Sequence, residues 1–261
     1  MRHRNSVYLY REPCKVINVI LPDTYQRGLA FFLAAEEWVA EHLPAEEYFF
    51  TWITKPTVII GRHQDINAEV NLDYCDKNNI EIVRRRSGGG CVYSDGKNIM
   101  MSYICPDTDV AKVFARFTVL VAGQLQKMGF DAAPTGRNDI TVGERKISGN
   151  AFYHLPTRSI VHGTMLYDTD IKNMMNAITP SKSKLAAHNV QSVEARIITA
   201  RQLKPELSFE QFYRGLTDGL FSSQISLSPE DIAEIEDIEK SYYDSNWLLK
   251  GESIKKQKIQ I

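Results

Sequence analysis

The side chains best suited to chemistry on a charged ligand stand together at Arg84-Arg85-Arg86-Ser87-Gly88-Gly89-Gly90-Cys91-Val92-Tyr93-Ser94-Asp95. Guanidinium forks beside bared backbone N–H groups make a cradle for an anion. Three consecutive glycines cost conformational entropy on folding, so they mark a place where only hydrogen fits beside the backbone. Ile80, Ile82 and Val83 before the arginines, and Cys91, Val92 and Tyr93 after the glycines, predict a strand, a loop and a strand. The stretch is not a Gly-x-x-x-x-Gly-Lys-Ser/Thr loop, which occurs nowhere in the chain. Nor is it a Gly-x-Gly-x-x-Gly turn, because the residues after the glycines read as strand and not as helix. Taken alone, the stretch also fits a solvent-exposed hairpin.

A second group lies at 136–152. Gly136-Arg137-Asn138-Asp139 precedes a short β run, 140–142, and Arg145-Lys146-Ile147-Ser148-Gly149-Asn150-Ala151-Phe152 comes after a Gly-Glu turn. Asn-Asp before one strand and Lys on the next puts amide, carboxylate and ammonium at neighbouring positions of a hairpin. His162, in the β run 161–167, fits equally a hydrogen-bonded core or rim histidine and a ligand contact. Cys14, Cys75, Cys91 and Cys105 lie far apart, with no Cys-x-x-Cys and no His-Glu-x-x-His. That excludes an evident zinc site or disulfide framework and makes reduced cytoplasmic thiols the default.

The elements that must position these groups can be read from periodicity. Runs 7–10 and 16–21 are β-like, and 27–42 predicts a helix on good helix formers, Glu36 and Glu37 among them. Residues 48–60 predict one aromatic, β-branched strand ending at Gly61-Arg62, 71–79 a short helix, and 100–104 a strand. Asp109 can cap a helix in which Val110, Val113, Phe114, Phe117, Leu120, Val121, Leu125 and Met128 recur at helical spacing, and Gly129 can stop it. Residues 171–178 predict a helix, and the Lys- and Ser-rich stretch 181–188 an exposed loop. Ser208 with Gln211 forms a capping-box pattern, and Ser228-Pro229-Glu230-Asp231 opens the last helix.

At 261 residues, with 43% hydrophobic and 24% charged residues, the chain has the composition of a globular protein with a sizeable core. A net charge of −1 gives no electrostatic case for nucleic acid. No apolar run is long enough to span a bilayer, and the N-terminus leads into no signal-peptide core.

Taken together, the motifs are specific. The run from Arg84 to Asp95 resembles the Arg-Arg-x-Ser-Gly-Gly-Gly motif of lipoate–protein ligases. Gly136-Arg137-Asn138-Asp139 and Arg145–Ala151 look like that family's next two motifs, in order. His162-Gly163-Thr164, Leu185-Ala186-Ala187 and Ser192-Val193-x-x-Arg196 are similar to its later signatures. The resemblance covers roughly residues 25–215. It implies an α+β fold of the biotin/lipoate-ligase type, a mixed, mainly antiparallel sheet backed by helices. It also implies ATP-dependent activation of lipoate to lipoyl-AMP, and then transfer to a lysine of an acceptor domain. The implied acceptors are lipoyl domains of 2-oxoacid dehydrogenase E2 subunits and the glycine-cleavage H protein.

On this resemblance Lys146 is the catalytic residue, touching both the carboxylate and the α-phosphate. Arg85, Gly90, Cys91, Val92, Tyr93, Asn138 and Asp139 join it in holding ATP. Arg86, Ser87, Gly88, Gly89 and His162, with Lys146, hold lipoate, and Asn138 and Asp139 hold Mg²⁺. Cys91 is expected to contribute its backbone N–H and not to act as a nucleophile. Ser94 stands where the family usually has His. Residues 1–250 are expected to form the catalytic domain and 251–261 a Lys-rich tail. The family's C-terminal accessory domain is expected to be absent, which makes a separate accessory polypeptide a candidate partner. A basic rim for the acceptor is expected from Arg84, Arg86, Lys182 and Lys184, and a loop at 181–193 is expected to close over lipoyl-AMP. The nearest rival is an ATP-independent lipoyl or octanoyl transferase. Such enzymes use a cysteine near the lysine motif, whereas the last cysteine of this chain is Cys105. An acyl-binding scaffold on the same fold is the non-enzymatic alternative.

Overall fold

The structure, a computed structural model, describes residues 15–21, 27–136, 138–178 and 196–251. The run at 7–10, the loop at 181–193 and the tail beyond 251 lie outside the described residues. Along the chain, strand β1 (Val16–Ile20) is succeeded by helix α1 (Leu29–His42), β2 (Glu47–Trp52) and β3 (Thr57–Ile60). Short helices α2 (Ile66–Glu69) and α3 (Leu72–Lys77) lead to β4 (Glu81–Arg84), β5 (Val92–Ser94) and β6 (Asn98–Cys105). Helix α4 (Val110–Lys127) precedes β7 (Ala132–Pro134), β8 (Asp139–Val142), β9 (Arg145–Leu155) and β10 (Arg158–Leu166). Then come α5 (Ile171–Ala177), α6 (Ala200–Leu203), α7 (Phe209–Thr217), β11 (Phe221–Ser226), α8 (Pro229–Lys240) and α9 (Ser245–Lys250).

An eight-stranded sheet runs in the order β11-β1-β2-β6-β10-β9-β8-β7, and a three-stranded sheet runs β4-β3-β5. β1 pairs in parallel with both β2 and β11, and the large sheet is otherwise antiparallel. The class is α+β. Alternation decides which residues meet which helices. Tyr48, Phe50 and Trp52 of β2 pack with α1, α8 and α9, while Phe49 packs on the opposite face with Phe117 and Val121 of α4 and Phe212 of α7. Asp109 accepts from Ala111 N and Lys112 N and the Ser208–Gln211 box is closed, as read from the sequence. Ser228 and Asp231 close a second box at the start of α8, which is not the last helix, since α9 follows it. The two boxes lie on α7 and α8, which cover the two faces of the large sheet.

One expected strand is two. Residues 48–60 do not run through; β2 lies in the large sheet and β3 in the small one. Pro56 has no N–H to give a ladder, and the Thr57 hydroxyl donates to Lys55 O, closing a corner there. The chain therefore changes sheets at 53–56. The glycine stretch is likewise not a simple hairpin, since β4 and β5 both pair with β3, in parallel and antiparallel respectively, and not with each other. The loop between them crosses the end of β3. A third apolar cluster joins this small sheet to α2, α3 and α5 through Val58, Ile60, Ile66, Cys75, Tyr93 and Met174.

Candidate active site

Three adjacent arginines leave the end of β4 in different directions. Arg84 is 1% exposed and caps five carbonyl oxygens: Gly61, Arg62 and Gln64 from Nη1, Leu248 from Nε and Leu249 from Nη2, at 2.8–3.1 Å. It thereby ties α9 to the small sheet. Arg86 pairs with Glu37 Oε2 of α1 at 2.9 Å, donates to Ser241 Oγ at 2.7 Å and lies over the Tyr242 ring. The expected basic rim is thus corrected for Arg84 and Arg86. Arg84 spends its charge inside the fold on carbonyl oxygens, and Arg86, 29% exposed, spends its charge on the Glu37 carboxyl. Lys182 and Lys184 lie outside the described residues.

Arg85 faces the glycine loop. It donates to Gly88 O through Nε at 3.2 Å and Nη2 at 2.8 Å, to Gly90 O at 2.7 Å and to Ile59 O at 3.1 Å. Burial pushes this guanidinium down to about 10, which still leaves it charged at neutral pH. A trans peptide unit points its C=O and the next N–H in opposite directions. With Gly88 O and Gly90 O drawn onto Arg85, the N–H groups of Gly89 and Cys91 are turned away from it. Gly89 has φ +98°, and a Cβ there would stand 2.9 Å from Arg85 Nη2. Only glycine suits that position.

A cleft of about 500 Å³ opens in front of this loop. Arg85, Gly89, Gly90, Cys91, Val92 and Tyr93 line one side, and Asn138, Asp139, Lys146 and His162 join them from β8, β9 and β10. Apolar wall comes from Ile59, Met100 and Leu166, from Met174 and Met175 of α5, and from Ile178 and Ile197. Arg86, Ser87 and Gly88 stand outside the cleft wall.

The hairpin geometry brings Lys146 Nζ to 2.9 Å from Asp139 Oδ1. Its side chain remains 32% exposed. Gly149, three residues on, makes room: a Cβ there would come within 2.4 Å of Lys146 Cε and Nζ. Asn138 and Asn150 clasp each other across the strands, Nδ2 of each donating to the other's backbone carbonyl at 2.9 and 2.7 Å. Ile198 N donates to Lys146 O, and Arg196 next to this link also lines the cleft.

His162 is the hydrogen-bonded core or rim histidine of its first alternative, 8% exposed and bonded on both ring nitrogens, and it also lines the cleft. Nδ1 lies 2.7 Å from Glu36 Oε2, and Nε2 lies 2.6 Å from Ser87 Oγ. Glu36 and Glu37 stood out in the sequence only as helix formers, although two acids inside the apolar run 29–40 were a readable signal of a buried, partnered site. Asn150 and Gly149 belong to the same motif as Lys146.

The family model described as the lipoyl protein ligase A/B catalytic domain matches residues 29–221. Lipoate–protein ligase 1 of Staphylococcus aureus is 37% identical over 218 residues, covering 81% of this chain and 66% of that protein. The chain thus spans about two thirds of the length of that relative. A bi-partite lipoate–protein ligase from Thermoplasma acidophilum, from a structural study that includes its E2 lipoyl domain, superposes with a TM-score of 0.80 at 23% identity, over 92% of this chain and 98% of that one. Lipoate–protein ligase A bound with ATP superposes with a TM-score of 0.75 at 22% identity, over 92% and 100%. The two structures share the fold, and the sequence matches establish descent: this chain belongs to the lipoyl protein ligase A/B catalytic-domain family.

Proposed function

We propose that this chain activates lipoate with ATP to form lipoyl-AMP and pyrophosphate, and then transfers the lipoyl group to a lysine of a lipoyl domain. The observation that carries this reading is the partly exposed Lys146, held by Asp139 in one cleft with the arginine-backed glycine loop and an apolar wall. The lipoate carboxylate attacks the α-phosphorus, and the bond to pyrophosphate breaks. Two anions must meet for that step, and the compact Lys146 ammonium offsets their repulsion by touching both. The N–H groups of Gly89 and Cys91, turned outward by Arg85, supply donors for phosphate oxygens, with Gly90, Val92 and Tyr93 beside them. The methionine and isoleucine wall takes the hydrocarbon chain and dithiolane ring. In the second step the acceptor amine attacks the acyl carbonyl and AMP leaves.

Asp139 and Asn138 offer one carboxylate and one amide to the cleft, a donor set that suits magnesium once waters and substrate phosphates complete it. Bound magnesium would neutralise phosphate charge. Among the described residues no cluster of three or more His, Cys, Asp or Glu side chains gathers to hold a metal without the nucleotide. E2 lipoyl domains and the glycine-cleavage H protein are the proposed acceptors, supported for the first by the Thermoplasma ligase and its E2 lipoyl domain. The bi-partite make-up of that ligase supports a second polypeptide as a partner in adenylation. Among the described residues no helix is long and apolar enough to cross a membrane. The widely spaced cysteines, with no disulfide pattern in the sequence, support the cytoplasm as the proposed site of the reaction.

Lipoate-dependent exchange of labelled pyrophosphate into ATP, together with a lipoyl mass increment on a lipoyl domain, tests the reading. Lipoyl transfer from a carrier protein without ATP, and no exchange, would replace it with the transferase.

A further inference from the structure

A line of buried polar side chains runs from the sheet interior to the cleft. The Trp52 indole N–H donates to Ser102 Oγ at 2.9 Å. Indole nitrogen is a donor only, so the Ser102 proton must leave in another direction, and it goes to Glu36 Oε1 at 2.6 Å. The other oxygen, Oε2, faces His162 Nδ1 at 2.7 Å, and a carboxylate accepts. The ring proton therefore sits on Nδ1, and in the neutral ring Nε2 is left to accept from Ser87 Oγ–H at 2.6 Å. Glu36, Ser102, His162 and Ser87 are all less than 9% exposed. The sheet sets the spacing, since Ser102 of β6 pairs with His162 of β10 in register.

Serine, imidazole and carboxylate in this order resemble a nucleophilic triad. Ser87, however, is 2% exposed and stands outside the cleft wall, with its hydroxyl committed to His162. Ser87 is instead the residue from which the glycine loop departs. Its carbonyl accepts from Arg62 N at 3.0 Å, and Arg85 holds the carbonyls of Gly88 and Gly90. The side-chain bond to His162 adds a hold from the large sheet across to the small one.

We propose that Glu36 is a positioning residue: it fixes His162 as the Nδ1–H tautomer and, through Nε2, seats Ser87 and the glycine loop against the cleft. In kinetics the proposal rests on the adenylation reading; in the tautomer it stands by itself. Glu36→Gln keeps the shape but offers one acceptor to two donors, Ser102 and His162. One bond breaks, or the ring moves its proton to Nε2.

The test uses the full chain labelled with ¹⁵N-histidine, the His162 signals being assigned by their loss in His162→Asn. Wild-type protein should show a protonated Nδ1 and an unprotonated Nε2; Glu36→Gln should show a protonated Nε2 or mixed tautomers. In the exchange assay Glu36→Gln should raise KM for ATP or lipoate by at least about tenfold, from loss of a charged buried hydrogen bond, with kcat within about threefold, because the loop binds ground state and transition state alike. Ser102→Ala, a smaller perturbation, should move KM the same way and serves if Glu36→Gln does not fold. A wild-type Nε2–H tautomer, or an unchanged KM in a folded variant, overturns the proposal. A wild-type chain that shows the Nδ1–H tautomer but exchanges no pyrophosphate and takes lipoyl from a carrier protein without ATP upholds the relay and sinks the adenylation reading.

Discussion

Two stretches that bring positive charge to the cleft region spend it differently. At the end of β4, Arg84 and Arg85 are almost fully buried and give their N–H donors to backbone carbonyls. On the β8–β9 hairpin, Lys146 keeps a third of its side chain exposed and, among the described residues, has one ion-pair partner, Asp139. The first arrangement builds a loop; the second leaves an ammonium able to exchange partners. Arginine suits the former because its planar fork can bridge several fixed acceptors, and lysine the latter because its point charge rides on a flexible stem. Charge content alone therefore says little about where chemistry happens; the number of internal partners says more.

Removing charge from each stretch separates the two roles. Arg84→Ala leaves five carbonyls of the β3 end and α9 without their donor, and should lower stability by about 3–5 kcal/mol, the usual cost of breaking a buried charged network. Urea denaturation reads this directly, and a loss under about 1 kcal/mol would mean that water replaces the guanidinium at little cost. Lys146→Ala should fold with a nearly unchanged melting temperature and lose lipoyl-AMP formation by at least about a hundredfold. Near-normal turnover in that variant would remove Lys146 from the mechanism.

A smaller effect concerns Glu37, the partner of Arg86. Burial raises its carboxyl from 4.5 to about 7, against the pull of Arg86 and a hydrogen bond from Tyr242. Between these values the folded state keeps a proton that the unfolded state has lost. Stability from this group is therefore full below about 4.5 and declines as pH rises through about 7. Glu37→Gln should flatten the stability-against-pH curve over that window by on the order of 3 kcal/mol. Parallel curves for variant and wild type would show that Arg86 holds the carboxylate ionised throughout. The smallest expected change is Gly149→Ala. Its methyl displaces the Lys146 stem, which is flexible and can yield, so kcat for adenylation should fall by about tenfold, a little over 1 kcal/mol, with stability little altered. An unchanged kcat would show that the ammonium reaches the substrates along another path.

Residue order by itself determined what is local. The glycine loop between two β runs, the Asn138-Asp139 and Lys146 hairpin, the Asp109, Ser208 and Ser228 caps and the stripe of α4 all depend on partners a few residues away. Sheet membership was less legible. Pro56 was a visible break in 48–60, yet nothing nearby says that β3 joins a different sheet. The polar strand β11, Phe-Ser-Ser-Gln-Ile-Ser, carries little β signal and is placed at the sheet edge by parallel pairing with β1, roughly two hundred residues earlier. The fates of Arg84, Arg85 and Arg86 were decided only by tertiary structure. Leu248 and Leu249 meet Arg84 from more than 160 positions away, and Glu36 meets His162 across 126. A sequence shows which groups carry charge, but desolvation and the carbonyls or carboxylates that answer it arrive from distant elements, and these settle which charge is structural and which is free to act.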